Sequence, residues 1–149
     1  MAITFHNADI KFSLSHKKEL KTFLARQTGK EGKQIKNISY VFCSDEYLLN
    51  INKQFLNHDF YTDIITFPLS EGKEHIESEI YISVERVREN ALRFAIEGLQ
   101  KAPKIESLFH QELHRVMFHG VLHLLGYKDK TKSQQTQMRK MEDLWLKKY

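Results

Sequence analysis

The segment KIESLFHQELHRVMFHGVLHLLG, residues 104–126, is the longest helical pattern in the chain. It carries four of the chain's eight histidines, so the fold must place a row of imidazoles along one long helix. Successive helical residues advance by about 100°, so positions four apart are offset by only about 40°. His119 and His123 therefore share a face, one turn apart, and both rings reach a common point. This is the physical basis of helical two-histidine zinc motifs. His110 and His114 repeat the spacing, but they lie about 180° away from the other pair. One ion cannot use all four.

The residues beyond each pair distinguish the two. After His123 the chain reads Leu124, Leu125, Gly126, Tyr127, Lys128, Asp129. Gly126 stands where a left-handed residue ends a helix and turns the chain back. Asp129 falls ten residues after His119. That is the third-ligand spacing of the H-E-x-x-H-x-x-G-x-x-H zinc signature. We therefore expect His119, His123 and Asp129 to hold one zinc ion. Three protein ligands leave a fourth position for water, the catalytic layout. Zinc lowers the pKa of such a water from about 15.7 towards about 7. One carboxylate among the ligands leaves less positive charge than three histidines would, so this water should be less acidic than in a three-histidine site. The pair His110 and His114 has no glycine turn after it and is expected at the surface or rim.

Gly120 occupies the place where zinc proteases keep their glutamate base, which argues against peptide hydrolysis. Glu112 precedes His119 by seven residues on nearly the same helical face. It is either a partner orienting an imidazole or a helix-surface charge.

The rest of the chain supplies strands and shorter helices. AITFHN, KNISYVFCS, TDIITFPLS and EIYISV read as four strands, the third ending near Pro68. The loop between the last two suits an antiparallel pair. SLSHKKELKTFLARQTGK reads as a helix capped by Ser13 or Ser15 and ended by Gly29. SDEYLLNINKQFL reads as a helix capped by Ser44, with Asp45 and Glu46 in its first turn. In SVERVRENALRFAIEG, Val87, Ala91, Leu92 and Ala95 share a side and Gly98 closes the helix. QKAPKIES is the one candidate linker, and KSQQTQMRKMEDLWLKKY is a last helix with Met138, Met141, Leu144 and Trp145 on its apolar face. Four strands mixed with helices give an α+β fold or a mixed α/β sandwich.

At 149 residues, positions 1–149 read as a single domain with a core large enough to need no disulfide. Cys43 is the only cysteine, and the first residues hold no apolar run long enough for a signal peptide or a membrane span. The expectation is a soluble cytoplasmic protein. The net charge of +4 and pI of about 9.1 permit contact with nucleic acid without requiring it.

HGVLHLLGY closely resembles the H-G-x-L-H-L-x-G-Y-D-H signature of the YbeY family, metal-dependent endoribonucleases of bacterial ribosomal RNA maturation. TDIITFP (62–68) is similar to that family's T-D-V-L-S-F-P, SEIYISVERV (78–87) to its G-D-I-x-I-S segment, and MRKMEDLW to its closing helix. The matches run in order over roughly residues 45–145. The resemblance implies an α+β fold with a mixed sheet of about four strands flanked by helices on a zincin-like scaffold, His119 and His123 as metal ligands, precursor rRNA as substrate with 16S 3′-end processing, and association with the ribosome or its small subunit. Three positions depart. The family has histidine at the place of Asp129 and aspartate at the place of Lys128. It also has an RNA-cleavage arginine at the place of Leu56, for which Lys53, Arg86 and Arg88 are candidate substitutes. Two other functional classes fit the spacing: another zinc hydrolase, acting on peptides or small substrates, and a non-catalytic ribosome assembly factor whose metal only braces the fold.

Overall fold

A computed structural model describes residues 1–70, 74–97 and 105–149. The described elements come in the order β1 (Ala2–Asn7), α1 (Lys17–Lys30), β2 (Gln34–Cys43), α2 (Asp45–Leu56), β3 (Ile64–Pro68), β4 (His75–Ser83), α3 (Val84–Glu97), α4 (Ile105–Leu124) and α5 (Lys132–Lys148). The strands form one sheet in the order β1-β2-β4-β3. β1, β2 and β4 run parallel, and β3 is antiparallel to β4. This is the α+β, mixed-sheet architecture expected from the sequence. No described helix is long and apolar enough to cross a membrane.

The main core lies between the sheet and the helices α1, α4 and α5. In β4, Ile76, Ile80 and Ile82 alternate inward at period two. In β2, Ile35 and Ile38 are both buried although they are three apart. A register shift between Ile35 and Asn37 explains this, because a bulge resets which face the next residues occupy. The other face of the sheet carries a smaller cluster of Cys43, Leu48 and Ile65 beneath α2.

Helix α4 is the central element, with Phe109, Leu113, Val116, Met117, Phe118, Val121 and Leu122 all buried. The hydroxyl of fully buried Tyr40 donates to the Met117 carbonyl at 3.1 Å, which pins the helix to β2 two residues before His119. Gly120 faces the sheet. A Cβ there would lie 3.1 Å from the Ile64 Cδ1, 3.2 Å from the Ile80 Cδ1 and 3.3 Å from the Thr66 hydroxyl. The glycine is thus what lets α4 approach β3 and β4 closely.

Three boundaries differ from the sequence expectation. Helix α1 is entered through His16 in a left-handed conformation with no side-chain cap, so neither Ser13 nor Ser15 caps it. It runs past Gly29, and Gly32, at φ +80°, makes the turn instead. Strand β4 begins at His75, inside the stretch read as loop, because backbone pairing with β2 starts there. On α5, Leu144 is exposed, since it lies about 120° from Met138 around the helix, and Glu142 takes the buried position with Met138 and Trp145. Leu92 is also more exposed than its assignment to the apolar side of α3 implied. Gly98 and most of the QKAPKIES linker lie outside the described residues.

Candidate metal centre

The two ends of the segment after α4 are locked by local chemistry, and Asp129 lies between them. Gly126 adopts φ +107°, with its amide donating to the His123 carbonyl at 3.0 Å and that of Tyr127 donating to Leu122 at 3.1 Å. The chain turns back there as the left-handed glycine requires. Five residues later, the Thr131 hydroxyl accepts from the Gln134 amide while the Gln134 side chain accepts from the Thr131 and Lys130 amides, all at 3.1 Å. This reciprocal capping box starts α5 and fixes the far end of the turn.

Asp129 is brought back over the face of α4 that carries the expected pair. Its Oδ2 lies 3.3 Å from the Nε2 of His119 and 3.3 Å from the Nε2 of His123. The two rings stand edge to face, 4.5 Å apart. One donor atom from each of the three lies within 4.8 Å of the others, so together they could hold a metal ion. Both 3.3 Å edges are longer than direct charge-assisted hydrogen bonds usually are. Charge-assisted N–H···O bonds are usually about 2.7–2.9 Å. Donors held about 2.05 Å from a tetrahedral zinc are separated from one another by about 3.3 Å. The donor set and its spacing thus fit a divalent cation. His110 and His114 are not part of the cluster. His110 is partly exposed beside Glu106, and His114 is half-buried between Phe118 and Tyr149.

Behind the cluster sits a residue that the sequence reading did not single out. Glu142, on α5, places Oε2 2.7 Å from the Nδ1 of His119. Its other oxygen lies 3.3 Å from Arg115 and 3.6 Å from Arg139, and only 7% of the side chain is exposed. The carboxylate accepts the Nδ1 proton, so the Nε2 lone pair of His119 is turned towards Asp129. Burial alone would lower the pKa of His119, but the bond to Glu142 and the charges of Glu142, Asp129 and Asp63 outweigh it and raise the value above its usual range. Glu112, the sequence candidate for orienting an imidazole, points elsewhere. It lies 3.8 Å from Arg115, and burial raises its pKa to about 7 against the opposing pull of that guanidinium. A charge on the buried stripe of an amphipathic helix, between Met138 and Trp145, was the signal for Glu142.

The cluster opens into a cleft of about 830 Å³ between α4, β3 and the loop after α2. Asp63 lines it beside His119. Burial raises the pKa of its carboxyl, while His119 and the neighbouring backbone amides oppose the rise. The carbonyl of Asp63 accepts from the Ser83 amide at 2.9 Å. Asp63 thus both braces the start of β3 through its backbone and lines the cleft. Leu56 also lines the cleft, but the three proposed substitutes for an arginine there do not. Lys53 pairs with Asp59, Arg86 with Asp45 and Glu89, and Arg88 with Glu106 and the ring of Phe109. Among the described residues, the lysines that line the cleft are Lys33, whose ammonium donates to the Leu124 carbonyl at 3.2 Å, and Lys130.

The model of the family described as Endoribonuclease YbeY matches residues 2–149. The chain belongs to this family. The Endoribonuclease YbeY of Cytophaga hutchinsonii is 46% identical over 144 residues, covering 97% of this chain and 93% of that protein. The Endoribonuclease YbeY of Flavobacterium psychrophilum is 45% identical over 141 residues, covering 95% and 92%. Among solved structures, a Thermotoga maritima protein determined in solution superposes with a TM-score of 0.61 at 25% identity, covering 97% of this chain and 87% of its own. The YbeY resemblance read from the histidine signature thus extends over nearly the whole chain, and the mixed sheet flanked by helices is shared with that solution structure.

Proposed function

We propose that this chain is a metal-dependent endoribonuclease of ribosomal RNA maturation, with one zinc ion held by His119, His123 and Asp129. The observation that carries the reading is the pair of 3.3 Å edges from Asp129 to two imidazoles, opening onto a cleft that also holds Lys33 and Lys130. When bound, the ion supplies Lewis acidity towards a phosphate oxygen and activation of water. The chain's own groups do the remaining work. Glu142 fixes the tautomer of His119. The Gly126 turn and the Thr131 cap hold Asp129 in reach. Lys33 and Lys130 attract the phosphate backbone, a contact that weakens with salt.

Membership in a family named for endoribonuclease activity supports the reaction class. A site in the cytoplasm, 16S 3′-end processing and docking on the small subunit belong to the same reading. The peptidase alternative lacks its base, because the position that would carry it is Gly120, packed against Ile64 and Ile80.

The test is His119→Ala and His123→Ala, with zinc content measured by elemental analysis and cleavage assayed on a precursor rRNA fragment. Both variants should lose zinc and cleavage together. Cleavage at the wild-type rate without bound metal would refute the mechanism. Intact ribosome association and cellular function after metal loss would instead favour an assembly factor with a structural metal.

A further inference from the structure

The cleft has a second wall that the metal centre does not use. It is built by the loop between α2 and β3, where Phe60 is 56% exposed. The ring of Phe60 stacks on that of His58, with centroids 5.0 Å apart and planes 21° from parallel. Both residues line the same cleft as His119, His123 and Asp129. A phenylalanine that covers one face with a neighbouring ring and leaves more than half its surface in water gives up burial that folding would otherwise favour.

The loop is not left to find this arrangement by chance. Asn52, on α2, is 1% exposed, and its side-chain amide donates to the Phe60 carbonyl at 2.9 Å. The Asn52 carbonyl accepts from the His58 amide at 3.1 Å, and Asn57 between them takes the left-handed turn at φ +57°. One buried polar residue thus holds the backbone of both stacked rings. On another part of the lining stand Lys33 and Lys130, the cations for a phosphate backbone.

We propose that Phe60 and His58 form a stacking subsite for one unpaired nucleobase of the RNA strand whose phosphate lies at the metal centre. The proposal rests on the endoribonuclease reading for the identity of the ligand. A flat π-face receives any base, since every base has one. The strand would be seated by a base on Phe60 and by its backbone on the lysines. A base inside a duplex cannot offer its face to the ring, so the subsite selects for an unpaired nucleotide near the scissile bond.

The test is binding of a fluorescein-labelled 2′-O-methyl hexaadenylate to the zinc-loaded protein, read by fluorescence anisotropy, with probe integrity checked on a gel. Phe60→Ala and Phe60→Leu should weaken binding at least about fivefold, and Phe60→Trp should restore it. The leucine variant keeps an apolar side chain of similar bulk, so its loss reports stacking rather than folding. The dependence of affinity on salt should be unchanged by Phe60→Leu and reduced in slope by Lys130→Ala. Equal affinity for wild type, Phe60→Ala and Phe60→Leu would overturn the subsite, as would a wild type that does not bind the probe. Cleavage of the rRNA fragment, run in parallel, separates the two readings. Active enzyme with Phe60-independent binding removes the subsite alone. Phe60-dependent binding without cleavage supports the subsite and removes the nuclease reading.

Discussion

Replacing Glu142 by alanine should weaken zinc binding without dismantling the fold. The carboxylate lies 2.7 Å from the Nδ1 of His119 and fixes which nitrogen carries the proton. Without it the imidazole samples both tautomers and rotates more freely, and each effect reduces the fraction ready to ligate. Removing such a partner typically costs about 10–100-fold in metal affinity, or ~1.4–2.7 kcal/mol. The fold should lose less than a broken buried ion pair usually costs, because Arg115 keeps Asp143 at 2.7 Å. We expect ~1–3 kcal/mol in the metal-free protein. Glu142→Gln retains an oxygen that can accept the Nδ1 proton, so it should lose only part of the affinity. The assay is zinc competition against a chromogenic chelator, with urea unfolding of the metal-free protein alongside. The visible spectrum of the cobalt(II) form adds a signature that a merely structural role would not move. An alanine variant with wild-type zinc affinity and an unaltered cobalt spectrum would refute the positioning role.

Two further predictions rest on packing and protonation rather than on metal ligation. His114 sits between Phe118 and Tyr149, and burial, helped by His110 and His16, lowers its pKa from 6.5 to about 4. Below pH 6.5 the unfolded chain takes up the proton and the folded one does not, so stability falls as pH drops towards 4 and then levels, with ~3 kcal/mol as the ceiling. Urea unfolding at pH 7 and pH 5 should show a drop that shrinks by up to ~2 kcal/mol in His114→Phe, and an identical drop in both proteins would contradict the assignment. Gly120→Val must push side chains into Ile64, Ile80 and Thr66, and should cost ~1–3 kcal/mol. A calorimetric melting temperature equal to that of wild type would show that the helix does not pack as closely as the distances state.

The chain revealed most where one local rule acted alone. Runs of strand-forming residues marked β2 and β4, an i, i+4 spacing marked the histidine pair, Ser44 marked the start of α2, and Gly126 with the ten-residue spacing marked Asp129. It revealed less where two rules competed. Ser13 and Ser15 offered caps, but the entry to α1 runs through His16 in a left-handed turn. The apolar count on α5 favoured Leu144 and hid Glu142, whose burial makes sense only once His119, Arg115 and Arg139 surround it. The cations of the cleft could not be found by proximity to Leu56 in sequence. Lys33 and Lys130 come from the approach to β2 and from the turn before α5, and the fold alone brings them to one cleft.

The departures from the YbeY pattern make physical sense together rather than one at a time. Aspartate in place of histidine at position 129 adds a negative charge to the candidate metal cluster, and leucine in place of arginine at position 56 removes a positive one from the cleft. Both changes weaken attraction for RNA. Lysine in place of aspartate at position 128 exchanges a negative charge for a positive one, and so offsets both. The total is preserved while its location changes. Against the signature that the histidine segment resembles, positive charge lies instead on the turn that carries Asp129, where exposed Lys128 and Lys130 flank the carboxylate. The wall left behind is Leu56, His58 and Phe60, which offers apolar and aromatic surface in place of a guanidinium. Such an exchange keeps the field that draws in a polyanion and assigns the two walls of the cleft different tasks. On the proposed subsite, the turn beside the metal cluster is the wall for phosphate and the loop after α2 is the wall for a base.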